Sequence, residues 1–294
     1  VSDVDTTDTL SVDVSSVTPV SGDASGIVIN TDGTLSVDPN AYTHLPVGGD
    51  EIVTFGYLVE DGNGGSVEQT ATITITGADD TPLIEGDSTG SVTEDLSLVA
   101  HGQLTITDPD TGESSFQAVT GLMGAYGSLD IDSSGSWTYT VDNNLEAVQS
   151  LAAGEVLPDS IDVTSYDGTT QTIQITITGT NDGPVVLDTV SLPATEDTAL
   201  TITEAQLLEY ATDVDGDDLH VENLRVREGF EHDGTLIDNG DDTWTFSPTG
   251  DFSGPVALAY DVSDGTDITP AYATVQVDAV ADPPEVIGLS LIHI

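Results

Sequence analysis

Along most of the chain, apolar and polar residues alternate with a period of two, the pattern of strands that bury one face. Ile73 and Ile75 fall on one face with Thr72, Thr74 and Thr76 on the other, and Ile173, Ile175 and Ile177 repeat the arrangement. Trp137, Tyr139 and Val141 share a face, as do Trp244 and Phe246, and Leu35 and Val37 hold the equivalent place nearer the N-terminus. Large aromatics dominate core burial, so they are read as core anchors rather than as a ligand platform. Helix is confined to two short stretches. Thr203-Glu-Ala-Gln206 fits a capping box ahead of Leu207 and Leu208, and Leu145, Val148, Leu151 and Ala152 fit a turn or two of amphipathic helix.

The strand pattern itself recurs. "SDVDTTDTL", "TDPDTGESS" and "TDVDGDDLH" place Asp3, Asp108 and Asp213 at intervals of 105 residues. "TITITGADDTP", "QITITGTNDGP" and "VQVDAVADPP" each run an alternating strand into an acidic, proline-closed linker. Glu94-Asp95 of "SVTED" returns as Glu196-Asp197 of "PATED", and Asp61, Asp167 and Asp264 each precede a glycine after a strand. Features in a fixed order at this period indicate tandem modules of about 100 residues with about seven short strands each. The expected modules are 1–80, N-terminally truncated, then 81–183 and 184–284. Residues 285–294 break the pattern and are read as a truncated strand or an artefactual tail. The fold class is therefore all-β: tandem Ig/cadherin-like antiparallel β-sandwich modules, expected to form an extended rod.

Charge narrows the function. The 294 residues include 53 Asp and Glu against two basic residues, Arg225 and Arg227, for a formal charge of -51. Such a surface excludes nucleic acid and anionic membranes as electrostatic partners. It also weakens any compact state unless cations screen or bind the acids. The regular alternation argues against a disordered acidic tail. Without cysteine there are neither disulfides nor thiolate metal sites, so a staple would have to be a metal with oxygen ligands. No apolar run is long enough to span a bilayer. The chain begins at Val1 without a signal peptide and is expected to be a fragment of something longer.

The densest acidic stretch, "ATDVDGDDL" at 211–219, resembles an EF-hand loop at first sight. Counted from Asp213, however, Asp218 stands where the loop needs Gly and Leu224 where it needs a bidentate Glu. The residues that follow alternate like a strand, so no helix flanks the loop. The other two copies also carry an apolar residue at the Glu position, Val14 and Val119. Crowded like charges repel by about 1 kcal/mol at 4 Å in water and several times that near a protein surface. A fold that repeats the crowding at fixed positions gains something from it, and Ca2+ takes six to eight hard oxygen ligands of this kind.

The order Thr-Glu-Asp, Ala-Thr-Asp-x-Asp, Ser-Asp-Gly and Thr-Asn-Asp-x-Pro resembles the calcium sites of cadherins, in which ions are held between modules. The third module resembles bacterial cadherin-like repeats and the second resembles VCBS repeats of large RTX adhesins, exported by type I secretion. The resemblance covers nearly all of residues 1–284. It implies calcium ligands Asp79, Asp80, Asp108, Asp110 and Asp167 between the first two modules, and Glu94, Asn181, Asp182, Asp213, Asp215 and Asp264 between the second and third. Asp3, Asp5 and Asp61 would face a preceding module, and Glu196 and Asp282 a following one. The linker Asn is present only as Asn181, with Asp79 and Ala281 in its place elsewhere, so the number of ions is expected to differ between joints.

The function expected is a calcium-rigidified extender of an extracellular bacterial cell-surface adhesin. Its partners would be the neighbouring repeats of the same chain, with distal domains reaching host or biofilm surface ligands. A strand of about nine residues rising 3.3 Å per residue would add about 30 Å per module. The alternatives are a glycan- or peptide-binding module, with the stretch from Val226 to Gly234 as its place, and an accessory region of a secreted enzyme. No enzymatic activity is expected. Gly86-Asp-Ser-Thr-Gly90 matches the Gly-x-Ser-x-Gly pattern of hydrolases, but a nucleophile elbow needs a helix after it and a strand follows here. The five histidines show no metal-ligand spacing.

Overall fold

Alternating segments become strands because pairing satisfies their backbone groups while one face of side chains is removed from water. The computed structural model describes residues 2, 4–5 and 8–281. Among these are 22 strands and two four-residue α-helices. By density of contacts the chain forms two compact units. One comprises Val1–Ser91, Val99–Val141 and Pro158–Thr176, the other Val92–Leu98, Asp142–Leu157 and Ile177–Ile294.

In the first unit, Ser11–Ser21, Asp50–Glu60 and Ser66–Thr76 form a three-stranded antiparallel sheet with Asp50–Glu60 in the middle. Val53, Phe55 and Val59 are buried together with Tyr42, whose hydroxyl donates to the Asp23 carbonyl at 2.9 Å. The hairpin Ile27–Ile29 with Leu35–Val37 pairs only with itself. Leu35 and Val37 are exposed at 36% and 42%, which corrects the expectation that they occupy a core place like that of Trp244 and Phe246. The strand carrying Trp244 and Phe246, Thr243–Pro248, has a second partner in Leu200–Thr203, with Ile202 fully buried. Leu35–Val37 has no such partner to cover it among the described residues.

The same unit carries a five-stranded sheet in the order Leu83–Gly86, Val99–Thr107, Ser136–Val141, Gly127–Ile131, Val119–Met123. Trp137, Tyr139 and Val141 are buried on one face of Ser136–Val141. The Trp137 ring lies over Gly102, where a Cβ would stand 2.2 Å from it, and its Nε1 donates to the Asp87 carbonyl at 2.8 Å. A Cβ at Gly90 would meet both Trp137 and Ile175 at 2.9 Å. The two faces of the sandwich thus close to van der Waals contact at a glycine, which leaves room for the indole. Gly86 to Gly90 links two strands, Leu83–Gly86 and Thr89–Thr93.

In the second unit a four-stranded sheet runs Val190–Thr195, Ile268–Asp278, Gly254–Ser263, His220–Val226, the first pair parallel and the rest antiparallel. It faces the antiparallel sheet of Leu200–Thr203, Thr243–Pro248 and Gly234–Asp238 across a core that includes Leu192, Ile202, Trp244, Phe246, Leu258 and Val275. The capping box forms as the sequence requires. The Thr203 hydroxyl accepts from the Gln206 amide and the Gln206 side chain accepts from the Thr203 amide at 2.9 Å, opening helix Glu204–Leu207. Leu207 is buried, and the Tyr260 hydroxyl donates to its carbonyl at 2.7 Å. Helix Glu146–Gln149 buries Val148 in the same way. Arg225 donates to the Asn223 carbonyl and Arg227 lies over the Tyr272 ring at 5.4 Å.

Candidate metal centres

Each unit gathers acids from a linker, an Asp-x-Asp loop and the turn that ends the penultimate strand. The second unit has the fuller set. Strand Thr89–Thr93 ends in Glu94, whose amide donates to the Thr178 carbonyl at 3.1 Å and whose Oε1 accepts from the Thr180 amide at 2.7 Å. The next residue, Asp95, takes a left-handed conformation (φ 56), which Asp tolerates better than most residues. That turn sends the chain onward and leaves Glu94 fully buried. Asp95 is held by Asn143 and Gln149 through its Oδ1.

The linker and the loop are tied together by backbone amides. The Asp182 amide donates to Asp215 Oδ2 at 2.8 Å, and the Asp215 amide to Asp213 Oδ1 at 2.9 Å. Asn181 Nδ2 bridges Asp264 Oδ2 and Asp267 Oδ2 at 3.0 and 2.9 Å. Asp213, Asp215 and Asp217 bring one carboxylate oxygen each within 4.8 Å of one another. Glu94 Oε2, Asp182 Oδ2, Asp213 Oδ2 and Asp215 Oδ1 are buried with no hydrogen-bond partner. Buried polar atoms are normally satisfied, and four acceptors without donors form a place that a cation fits and another hydrogen-bond acceptor does not.

The electrostatics say the same. Burial, and then the charges of Asp95 and Asp215, push the Asp182 carboxyl up to about 6. Glu94 is raised by burial and by Asp182, Asp215 and Asp95, against the pull of its bond from the Thr180 amide. Asp217 is raised by desolvation and then by Asp213 and Asp215. Asp264 goes the other way. Burial would raise it, but amide bonds from Thr266 and Asp267 outweigh that and keep it low.

The first unit repeats the scaffold. The Asp80 amide donates to Asp110 Oδ2 at 2.9 Å and the Asp110 amide to Asp108 Oδ1 at 2.9 Å. Asp79, Asp110 and Glu113 offer oxygens within 4.8 Å of one another, and Asp108 Oδ2 and Asp110 Oδ1 are buried without partners. Glu113 is raised by desolvation and then by Asp110, Asp108, Asp79 and Asp167. Ser165 and Thr169 donate to the two oxygens of Asp167.

Sequence reasoning missed Glu113, Asp217, Asp95 and Asp267. The first two were legible in principle, because each is the next acid after its Asp-x-Asp pair, but the loops differ by one residue and the alignment hid them. Of the outer residues, Asp5 is exposed, and Asp61 is kept low first by the Asn63 amide and then by the Gly65 amide. Glu196 is buried, and its Oε1 accepts from the Val280 amide as Glu94 does from Thr180. Asp3, Asp282 and the tail 285–294 lie outside the described residues.

A ligand set made only of carboxylate oxygens fits a hard divalent cation, and the crowding of several carboxylates suits calcium, which takes six to eight oxygens, better than magnesium, which keeps its waters. Glu94, Asp182, Asp213, Asp215 and Asp217 would hold an ion in the second unit, and Asp79, Asp108, Asp110 and Glu113 in the first.

The chain is similar over 90% of its length to the mouse clustered protocadherin PcdhgC3 EC1-3 structure, at 15% identity, 89% coverage of that chain and TM-score 0.43. It is similar over 91% to protocadherin gamma B2 extracellular cadherin domains 1-5, at 14% identity and TM-score 0.48, spanning 53% of that chain. It spans 66% of the PcdhgB3 EC1-4 structure, at 15% identity and TM-score 0.41. No curated protein sequence matches the chain. The family model described as bacterial cadherin-like domain matches residues 79–179. The model described as cadherin-like domain matches residues 1–76 and 180–278, more than half of the chain, and the chain therefore belongs to the cadherin-like domain family.

Proposed function

We propose that the chain is a calcium-rigidified extender of a bacterial cell-surface adhesin of the VCBS and RTX type, with the neighbouring repeats of its own polypeptide as its immediate partners. The observation that carries the reading is the repeated amide-to-carboxylate scaffold, which in each unit leaves buried oxygens facing no donor. When bound, calcium would supply two positive charges and a shell of six to eight oxygens.

The protein prepares that shell with its own residues. Linker amides fix Asp110 and Asp215 by hydrogen bonds, so the carboxylates are oriented before an ion arrives and little side-chain entropy is lost on binding. Glu94 ties the end of a first strand to the linker through Thr178 and Thr180. An ion on its other oxygen would make that connection stiff. Among the described residues no helix is long and apolar enough to cross a membrane, and the extracellular, projecting role assigned here rests on family membership and the acidic sites together.

Calcium titration of the EDTA-treated protein tests the reading. Saturable binding with a higher melting temperature, and a scattering profile that changes from flexible to stiff, is the expected result. Equal melting temperatures and equal profiles in EDTA and calcium would refute it.

A further inference from the structure

Both arginines of this acidic chain lie on one sheet face. Arg225 and Arg227 are two residues apart along strand His220–Val226 and its continuation, so their side chains leave on the same side, about 6.6 Å apart along the strand. Arg225 stands opposite Ala259, and Ala259 opposite Tyr272. The Arg227 amide donates to the Ala257 carbonyl at 2.9 Å, and Ala257 stands opposite Thr274. Leu258 and Tyr260, which alternate with these alanines, belong to the core. The arginines and Tyr272 therefore share the outer face.

With 53 acids in the chain, each guanidinium would be expected to end in an ion pair, yet among the described residues neither does. Arg225 donates one N–H to the Asn223 carbonyl at 2.9 Å, and Arg227 rests on the Tyr272 ring, 5.4 Å from its centroid. A guanidinium carries five donors and both residues are exposed, so most of those donors remain for something else. Asp261, the acid two residues along from Ala259, is kept off the pair. Asn223 takes a left-handed conformation (φ 55), its side-chain amide donates to Asp261 Oδ2 at 2.9 Å, and its carbonyl receives Arg225. That conformation is uncommon outside glycine, and here it sets an asparagine between acid and cation. The other two modules carry no such face. Where the third has Ala259 and Tyr272, the second has Asp162 and Thr172, with the hydroxyl donating to the carboxylate at 2.5 Å, and the first has Gly56 opposite Thr70.

We propose that this outer face binds an acidic sugar, a pyranose carrying one carboxylate within an otherwise neutral glycan. The two guanidiniums present planar forks that match the paired oxygens of a carboxylate. Tyr272, 48% exposed, offers ring surface to the C–H face of the pyranose. Thr274 and Gln276, on the same face, offer hydroxyl and amide groups to its hydroxyls. The small side chains of Ala257 and Ala259 leave the strip between arginines and ring low enough for a sugar to approach. A peptide partner anchors itself through side chains in desolvated pockets, whereas the outward residues named here are guanidinium, hydroxyl, amide and one ring. Charge limits the ligand further. At -51 the chain repels a dense polyanion, while a single carboxylate meets two cations at close range. The binding rests on this face alone and is independent of the calcium function proposed above.

The test titrates the whole 294-residue protein with neutral tetrasaccharides capped by one glucuronate, galacturonate or sialate, and with their methyl esters, by ligand-observed NMR. EDTA is present throughout, so that no metal can bridge the sugar to the acidic loops. The expected result is saturable binding of at least one acidic cap, with its methyl ester at least about tenfold weaker. R225Q and R227Q should each weaken binding by a similar factor at an unchanged melting temperature. R225K should recover only part of the loss, because lysine keeps the charge without the fork. N223G frees Asp261 to reach Arg225 and should also weaken binding, and adding D261N should restore it. Failure of all three caps to bind would overturn the proposal, as would equal binding of the methyl esters or binding unchanged by R225Q with R227Q. Tighter binding of heparin would reduce the face to general anion attraction, and tighter binding of an acidic peptide would assign it to a protein partner; either overturns it. A protein that ignores calcium but binds the capped sugar would refute the extender reading and leave this one standing.

Discussion

Two fully or nearly buried carboxylates show what separates a structural acid from a ligand. Asp159, 3% exposed, accepts from the amides of Ala125, Tyr126 and Ser160 and from the Tyr139 hydroxyl, all between 2.8 and 3.0 Å. Every donor faces an oxygen, so D159N would turn an NH2 toward N–H or O–H groups. It should cost about 3 kcal/mol in urea unfolding, equally in EDTA and calcium. Glu94 has one amide donor and one empty oxygen. E94Q keeps the acceptor for Thr180 and removes a charge repelled by Asp182 and Asp215. The calcium-free variant should melt no lower than the parent at pH 7, while calcium affinity of the second unit falls at least about tenfold, or about 1.4 kcal/mol. A lower melting temperature in EDTA would show that Glu94 is a structural acid after all. The pH response follows from the same groups. Asp182 sits at about 6 in the folded protein against an ordinary 3.8, and Glu94 is raised too. Between those two values the folded state binds protons that the unfolded chain has released, so stability falls as pH rises through this window and is regained on acidification. In EDTA the melting temperature should therefore rise from pH 7 to pH 5. In calcium it should fall, because protons compete with the ion. Carboxyls held low, such as Asp264 and Asp61, lose their contribution only below their ordinary value and leave the window clear.

At the scale of elements, strands that bury one face were legible because alternation is the direct record of that burial. Ile173, Ile175, Ile177, Trp137 and Tyr139 are all in the core, and the capping box at Thr203 formed because its two hydrogen bonds are local. Leu35 and Val37 failed for the complementary reason. Their own strand pattern is intact, but burial depends on a second strand that pattern cannot register. The metal loops were half legible: repetition found Asp108, Asp110, Asp213 and Asp215, whereas Glu113 and Asp217 sit after a one-residue difference in loop length. The joint between linker and strand was also invisible in composition. A Cβ on Gly179 would stand 2.2 Å from the Leu151 carbonyl and 2.5 Å from that of Ala152. Both atoms are backbone, so neither can give cheaply. Gly179 separates the two residues that grip Glu94, Thr178 and Thr180. G179A should thus destabilise the protein by about 2 kcal/mol through overpacking and also weaken calcium binding, although it touches no ligand. An unchanged calcium titration curve would show that the linker path and the ligand geometry are independent.

At the scale of the whole molecule, 53 acids against two basic residues make electrostatics a global term. Most of those acids are solvated and repel one another over distances set by the salt. The Debye length falls from about 30 Å at 0.01 M to about 3 Å at 1 M, so added NaCl removes most repulsion between exposed charges while leaving close, buried pairs nearly untouched. If the acids were only a solvating coat, salt would stabilise the calcium-free and calcium-loaded protein to the same extent, and magnesium would serve as well as calcium. If the clusters around Asp110 and Asp215 are built for an ion, the two responses separate. In EDTA the melting temperature should climb steadily with NaCl. In calcium it should start higher and climb less, because the most crowded carboxylates are already neutralised. At high salt the two curves should stay apart, since screening cannot provide the unpartnered oxygens of Glu94, Asp108 and Asp213 with a coordinating charge. Thermal melts across that salt range in EDTA, calcium and magnesium decide the matter, and convergence of all three curves near 1 M NaCl would reduce the acidic sites to a general adaptation of the surface.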